Sequence, residues 1–451
     1  MEQGFYKKSL SLVIPIAFQQ FMLSLVSASD AVMLGMISQN ALSAASLAGQ
    51  VMFVFNLFLT AFTMGTSMLA SQYWGEGDKK SVEKILAFVL RAALFVSLLF
   101  FLGTLLFPRQ LMFLFTSERA LIDGGVVYLQ TSALTYLLLG ISQIYLCIMK
   151  NTGYAAKSTL ISSTAVVLNI VLNAVFIFGL FHIPAMGIAG AAFATVIARA
   201  VEMIWAVVDS LKPNRIRLKI RYFLHADRIL SKTYWKHSLP IIGNELAWGL
   251  GFTMYSVVMG HMGSDAVAAN SIANIAKNLL ICFCIGIANG GSIIVGNELG
   301  AGRLDEARQY GGKLCRVAVI SGILTGLALI LISPLIFHFA ALNPQAEEYL
   351  KWMLVICSYY IAGKSVNMTT IGGIFTAGGD TRFGLICDTI TLWCVTVPIG
   401  AFAAFVLHWP VLPVYFLLNL DEIVKLPVVY KHYKQYGWVQ NLTRRPVCEK
   451  I

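Results

Sequence analysis

The chain has 451 residues, of which 58% are hydrophobic and only 12% charged, and its mean hydropathy of +0.74 is spread over the whole length. Soluble globular domains carry about a quarter charged residues, so the composition excludes a soluble enzyme or binding module and indicates an integral membrane protein. The formal net charge of +11 raises nucleic acid or acidic partners, a question settled by where the charges lie.

In chain order, apolar runs long enough to span a bilayer, about 20 residues each, occur near 10–35, 47–73, 84–107, 124–149, 159–180, 186–209, 238–260, 272–298, 309–337, 350–376, 384–407 and 410–433. A membrane barrel needs short alternating strands, and these runs are continuous and too long for that. The fold class expected is therefore all-α, with twelve transmembrane helices. The first run follows Lys7 and Lys8 like a signal peptide, but it exceeds the length of a signal h-region, so a retained signal-anchor helix is expected.

The basic residues fall on alternate loops. One side collects Lys7, Lys8, Lys79, Lys80, Lys84, Lys150, Lys157, the residues from Lys212 to Lys236, Arg303, Arg308, Lys313, Arg316, Arg382 and the tail group Lys431, Lys434, Arg444, Arg445 and Lys450. The other has Arg109, Arg119 and Lys351, so the positive-inside rule places both termini in the cytoplasm. The basic excess is topological, and no nucleic-acid partner is expected. Six of the eight cysteines (Cys147, Cys282, Cys284, Cys357, Cys387, Cys394) fall within expected helices, with Cys315 near the start of another and Cys448 in the tail; none has disulfide or metal spacing.

Sliding the chain by 225 residues superposes Pro15 on Pro240, Val32 on Val257, Gly35 on Gly260, Ala41 on Ala266, Ser46 on Ser271, Gly65 on Gly290, Gly75 on Gly300 and Gly77 on Gly302 without a gap. Further on, Gly153 meets Gly378 and Lys157 meets Arg382. Each copy holds six helices, an even number, so the repeats are parallel and related by an axis along the membrane normal. The division expected is a lobe over 1–210, a basic cytoplasmic linker over 211–236, a second lobe over 237–435 and a cytoplasmic tail over 436–451. Two similar lobes suit alternating access and hence a transporter.

An acid interrupts the first apolar run, in the stretch SASDAVMLG (Ser27 to Gly35). A charge at mid-bilayer costs about 2.5–3.5 kcal/mol on insertion scales, so it marks a polar cavity or a partner. Asp30 lies roughly 30 Å along its helix. Asn169 and Asn173, at i and i+4 on one face of the fifth helix, and Thr195 in the sixth reach similar depth in the same lobe. Carboxylate, amide and hydroxyl oxygens coordinate hard cations, and a carboxylate withdrawn from water also takes a proton readily. The alternatives are an interfacial acid for Asp30 and helix–helix hydrogen bonding for the asparagines. The second lobe has buried charges of its own, Glu245, Lys277 and Lys364, whose alternative reading is a structural Glu–Lys pair. Asp388 and the group Asp421, Glu422 and Lys425 read as structural, and Arg199 with Glu202 as a local pair.

The stretch from Pro15 through SASDAVMLG to QYWGEGD (Gln72 to Asp78), NIVLNAVFIFG (Asn169 to Gly179) with GIAGAAFAT (Gly187 to Thr195), and GNELGAGR with AGGDTRFG (Ala377 to Gly384) together resemble the multidrug and toxic compound extrusion (MATE) family. The resemblance spans about 10 to 430. It implies two six-helix bundles that export amphipathic, often cationic, compounds in exchange for H⁺ or Na⁺. It also implies a cation site at Asp30, Asn169, Asn173 and Thr195, a helix bend at Pro15 and a functional glutamate at Glu245. One subgroup has a second Asp where this chain has Asn173, which weakens the case for sodium and favours protons. The function expected is a secondary antiporter for multidrug efflux in the cell inner membrane, working as a monomer without a cofactor other than its coupling ion and meeting small-molecule substrates and membrane lipid. The alternative is a flippase of a lipid-linked precursor with a related two-lobe fold. An enzyme is not expected, since the seven histidines show no HExxH spacing and no GxSxG occurs.

Overall fold

The computed structural model describes residues 2–225, 227–339 and 342–443, with side chains from Phe5 onward except that of Phe339. Arg444, Arg445, Cys448 and Lys450, and with them the end of the expected tail, lie outside the described residues. Helices follow the apolar runs in order: α1 Glu2–Ile37, α2 Gln39–Glu76, α3 Lys79–Leu106, α4 as the pair Arg119–Ser132 and Leu134–Asn151, α5 Ala155–Phe178, α6 Gly187–Ser210, α7 Arg228–His261, α8 Ser264–Gly300 and α9 Leu304–Phe339. Next come α10, Pro344–Asn367 continued by a π-helical stretch Met368–Phe375, and α11, Thr381–Thr389 with a π-helical stretch Ile390–Thr396 and then Val397–Phe405. The last, α12, is broken into Val411–Leu418, Asp421–Val424 and Leu426–Lys434. Among the described residues 8 helices are long and apolar enough to cross a membrane on their own, and 9 if the two halves of α4, bent by 47°, are one span. The other three are α7 and α10, which carry charges along their length, and α12, which is interrupted.

The duplication is visible in the helix boundaries. Helix starts at 39, 79 and 119 recur at 264, 304 and 344, each displaced by the repeat offset. The turn after α2 and the turn after α8 match bond for bond. Gly77 N–H donates to Trp74 O at 3.1 Å, and Gly302 N–H to Leu299 O at 3.1 Å. Both glycines have positive φ, +87° and +77°, where a side chain would be strained. The segment QYWGEGD is less of a loop than its glycines suggest, because α2 continues through Gly75 to Glu76. Gly75 serves packing instead: a Cβ there would overlap the backbone of Asn297.

The chain divides into two compact units, one of residues 22–70 and 78–234, the other of 1–21, 71–77 and 235–451. In the first, α5 and α6 form a tight antiparallel hairpin. Gly179 ends α5 in the left-handed region (φ +74°), and a Cβ at Gly190 would lie 2.6 Å from the Phe176 carbonyl oxygen. Small residues at such a crossing let backbones approach where lipid offers no hydrophobic drive. Leu34, Ile177 and Ala191 are buried together and pin the end of α1 onto that hairpin. The basic linker is tied down in the same unit, through Lys219 to Glu83 at 2.6 Å and Lys84 to Asp227 at 3.0 Å.

In the second unit α8, α9 and α10 pack on one another, with Ala266, Ala269, Ala273, Cys284, Cys357 and Ile361 in the core. The start of α1 belongs here. Val13 and Ala17 face Gly286 and Gly290 of α8, where a Cβ on either glycine would stand within 3 Å of them, and Lys8 Nζ meets Glu298 Oε1 at 3.0 Å. Residues after α12 return to this core: Trp438 is fully buried, and Gln72 Nε2 donates to Ala377 O at 2.7 Å and Gln440 O at 3.2 Å, while Leu442 N–H donates to Gln72 Oε1 at 2.7 Å.

Candidate functional site

Asp30 sits on the last turns of α1, held against α5 and α6 by the Leu34 cluster just beyond it. Asn169 and Asn173 occupy one face of α5 and are 4% and 0% exposed. The close approach at Gly190 brings Thr195 of α6 opposite them. The four side chains expected from the sequence stand in a single hydrogen-bonded row. Asn173 Nδ2 donates to Asp30 Oδ1 and to Asn169 Oδ1, the latter at 3.3 Å. Asn169 Nδ2 donates to Thr195 Oγ1 at 3.2 Å, and Thr195 Oγ1 to the Ala191 carbonyl at 3.0 Å.

Both amide protons of Asn173 are spent in this row, and its Oδ1 is left buried without a partner. Other buried side-chain oxygens, such as those of Ser97, Thr135 and Ser162 in the same unit, are likewise without a partner among the described residues. The carboxylate also feels Arg199 of α6, which pairs with Glu202 at 2.7 Å. The Arg199–Glu202 pair was legible from spacing; the influence of Arg199 on Asp30 was not, since nothing in a single helix turn reports it. Pro15 lies within α1, which continues through it as one helix.

The charges expected in the second lobe do not form one site. Lys364 Nζ pairs with Glu422 Oε1 at 3.0 Å rather than with Glu245, and lies over the Trp248 ring at 5.1 Å. Glu422 also takes Lys425 at 3.1 Å, and Asn367 Nδ2 donates to its Oε2 at 2.8 Å. Lys425 bridges to Asp388 at 2.8 Å and to Asp421 at 4.0 Å. The residues read as structural thus form the ionic centre of this unit, assembled from α10, α11 and α12. Glu245 is within electrostatic reach of Lys364 and Asp388, with no hydrogen-bond or ion-pair partner among the described residues. Lys277 has no ion-pair partner among them either and rests over the Tyr360 ring at 4.7 Å. No group of three His, Cys, Asp or Glu among the described residues is placed to hold a metal ion.

An all-helical chain with a duplicated six-helix plan, and an acid held inside one copy by amides and a hydroxyl, has the build of a multi-pass membrane transporter. A model of the MatE family matches residues 15–175 and again 240–402, the second match beginning at the repeat offset from the first, and the chain belongs to this family. It is thus a multi-pass membrane transporter rather than an enzyme, with twelve helices in two six-helix bundles. Among curated relatives it is 22% identical to an uncharacterized transporter, YisQ, of Bacillus subtilis over 95% of this chain and 94% of that one. It is 25% identical to a probable multidrug resistance protein NorM of Listeria monocytogenes, over 88% and 87% of the two chains. Among solved structures, a MOP superfamily transporter from Pyrococcus furiosus superposes with a TM-score of 0.86 at 18% identity, covering 95% of each chain.

Proposed function

We propose that the protein is a secondary multidrug antiporter that exports amphipathic or cationic organic compounds against an inward flow of protons, with Asp30 as the coupling carboxylate. The observation that carries this reading is the row Asp30–Asn173–Asn169–Thr195, a buried acid supplied with neutral partners. The row holds one carboxylate and neutral amides and a hydroxyl, so it carries a single formal negative charge, which supports a proton over sodium as the coupling ion. The relatives named for multidrug resistance support the substrate class.

Occupancy of Asp30 would alter the row that ties α1 to α5 and α6, and ion entry and substrate release would be linked reciprocally through that element. Both termini would face the cytoplasm. The concentration of Lys and Arg on the segments assigned to that side supports this orientation. The lobes would run over 1–210 and 237–435 with the linker between, acting as a monomer with no cofactor beyond the coupling ion.

The test is efflux of ethidium from proteoliposomes under a pH gradient and a sodium gradient imposed separately. Wild-type protein should respond to the pH gradient, and Asp30→Asn should lose at least tenfold of that response while keeping its melting temperature within a few degrees. Undiminished efflux by the variant would remove Asp30 from the mechanism, and a response to sodium alone would replace the proton with sodium.

A further inference from the structure

Lys277 is 6% exposed, in the first half of α8, and its ammonium rests over the Tyr360 ring with no ion-pair partner among the described residues. The acids that act on it from a distance, Asp421 and Glu422, have ion pairs of their own with Lys425 and Lys364. A buried ammonium without a carboxylate is costly, and in a membrane protein such a group faces a cavity or a ligand path. Lys277 lines a tight, partly open pocket beneath the turn that joins α7 to α8, together with Tyr255, Ser256, Asn270, Asn274 and Asn419. Asn270, Asn274 and Lys277 stand at i, i+4 and i+7, on one face of α8. Asn274 Nδ2 donates to Asn270 Oδ1 at 3.1 Å, which leaves the Asn270 amide nitrogen as a donor in the same pocket as Lys277. The matching positions of the first copy are Ala45, Gly49 and Met52, so the polar face belongs to the second copy alone.

We propose that this pocket receives the carboxylate of an amphipathic organic substrate, with Lys277 as its counter-charge, the Asn270 amide as a hydrogen-bond donor and the apolar body of the substrate left outside. The proposal rests on the transport reading and adds to its substrate class compounds that bear an anionic oxygen group, alone or beside a cation. An ammonium that gains a carboxylate there forms a charge-assisted hydrogen bond in a place sheltered from water, where such bonds are strongest. The pocket is sized for a headgroup rather than for a whole drug-like molecule, so recognition is of the charge and not of the ring system.

Binding without any gradient tests the site apart from coupling, so failure here and failure of the antiport reading are distinguishable. The full-length protein in phosphatidylcholine nanodiscs is titrated with 1-naphthoate, 1-naphthylmethylammonium and 1-naphthalenemethanol, which share a ring and differ in charge. Wild-type protein should bind naphthoate at least tenfold tighter than the neutral alcohol. Lys277→Met should abolish that preference, and Lys277→Arg should keep most of it. Asn270→Ala, which leaves the ammonium in place, should weaken naphthoate severalfold without changing the alcohol, and it serves if the methionine variant fails to fold. No preference for naphthoate in the wild type, or an unchanged preference in Lys277→Met, would overturn the proposal. Displacement of naphthoate by phosphatidylglycerol added to the discs would also overturn it, by giving the site to a lipid phosphate.

Discussion

Asp227 shows how a single side chain holds a membrane protein at its watery edge. It precedes α7, and its Oδ1 accepts from the backbone N–H groups of Ile229 at 3.1 Å and Leu230 at 3.3 Å, an N-cap, while Oδ2 meets Lys84 at 3.0 Å. The hydrogen bond from Lys84 holds its carboxyl below the usual aspartate range. A depressed folded-state pKa stabilises above the unfolded value, and that contribution is lost as pH falls through the folded one, here below about 4. Asp227→Asn keeps a cap but not the ion pair, so its melting temperature should fall less between pH 5 and pH 3 than that of the wild type. The difference should be small, about a few tenths of a kcal/mol, as befits a pair that remains partly open to water. Equal acid shifts for the two proteins would remove Asp227 from the acid limb. Asp30 and Lys277 were both legible in the sequence as charges inside apolar runs. Their partners were not, because a hydrogen bond such as Asn173 to Asp30 joins positions 143 apart, and helical spacing reports only neighbours within a turn or two.

Among elements, the α5–α6 hairpin does most to position the candidate site. Thr195 reaches Asn169 only because Gly190 lets α6 touch the Phe176 carbonyl. Gly190→Leu should wedge the hairpin apart, destabilise the protein by about 1–3 kcal/mol, and reduce proton-driven ethidium efflux severalfold. Efflux at the wild-type rate would mean that the row tolerates a separation of α5 and α6. Helix number and order could be read from the apolar runs, as could most helix ends, but α1, α2, α7 and α8 begin at 2, 39, 228 and 264, well before the apolar runs that mark them. The bend in α4, the π-helical stretches of α10 and α11 and the break in α12 could not be read. In the α10 stretch a Cβ on Gly373 would lie 2.8 Å from the Ala288 carbonyl oxygen of α8, a close approach that hydropathy cannot encode.

At the scale of the molecule, the duplication explains why the two halves share helix lengths, turn geometry and glycine placement, and it also exposes what each half changed. The first copy kept an apolar α2 and carries an acid in α1. The second carries a tyrosine, Tyr255, where the first has Asp30, and gathered Lys364, Asp388, Asp421, Glu422 and Lys425 into a buried ionic centre. The compact units are not the two halves of the sequence, since residues 1–21 and 71–77 are counted with the second. Helices α1 and α2 each run continuously from one unit into the other. Events at Asp30 and events along the start of α1 therefore share a covalent element.

The Gln72 side chain makes its three bonds to main-chain atoms of residues 377, 440 and 442. Main-chain recognition is blind to the identity of the side chains it secures. Within residues 439 to 443, Asn441 is bound through its own side chain, to the Gly300 carbonyl at 3.2 Å and to Thr443, whereas Gln440 and Leu442 meet Gln72 through the main chain alone. A saturation scan scored by folded yield should find Gln440 and Leu442 permissive and Gln72 intolerant. Equal tolerance at all three positions would show that Trp438 and Asn441 hold the returning segment without Gln72.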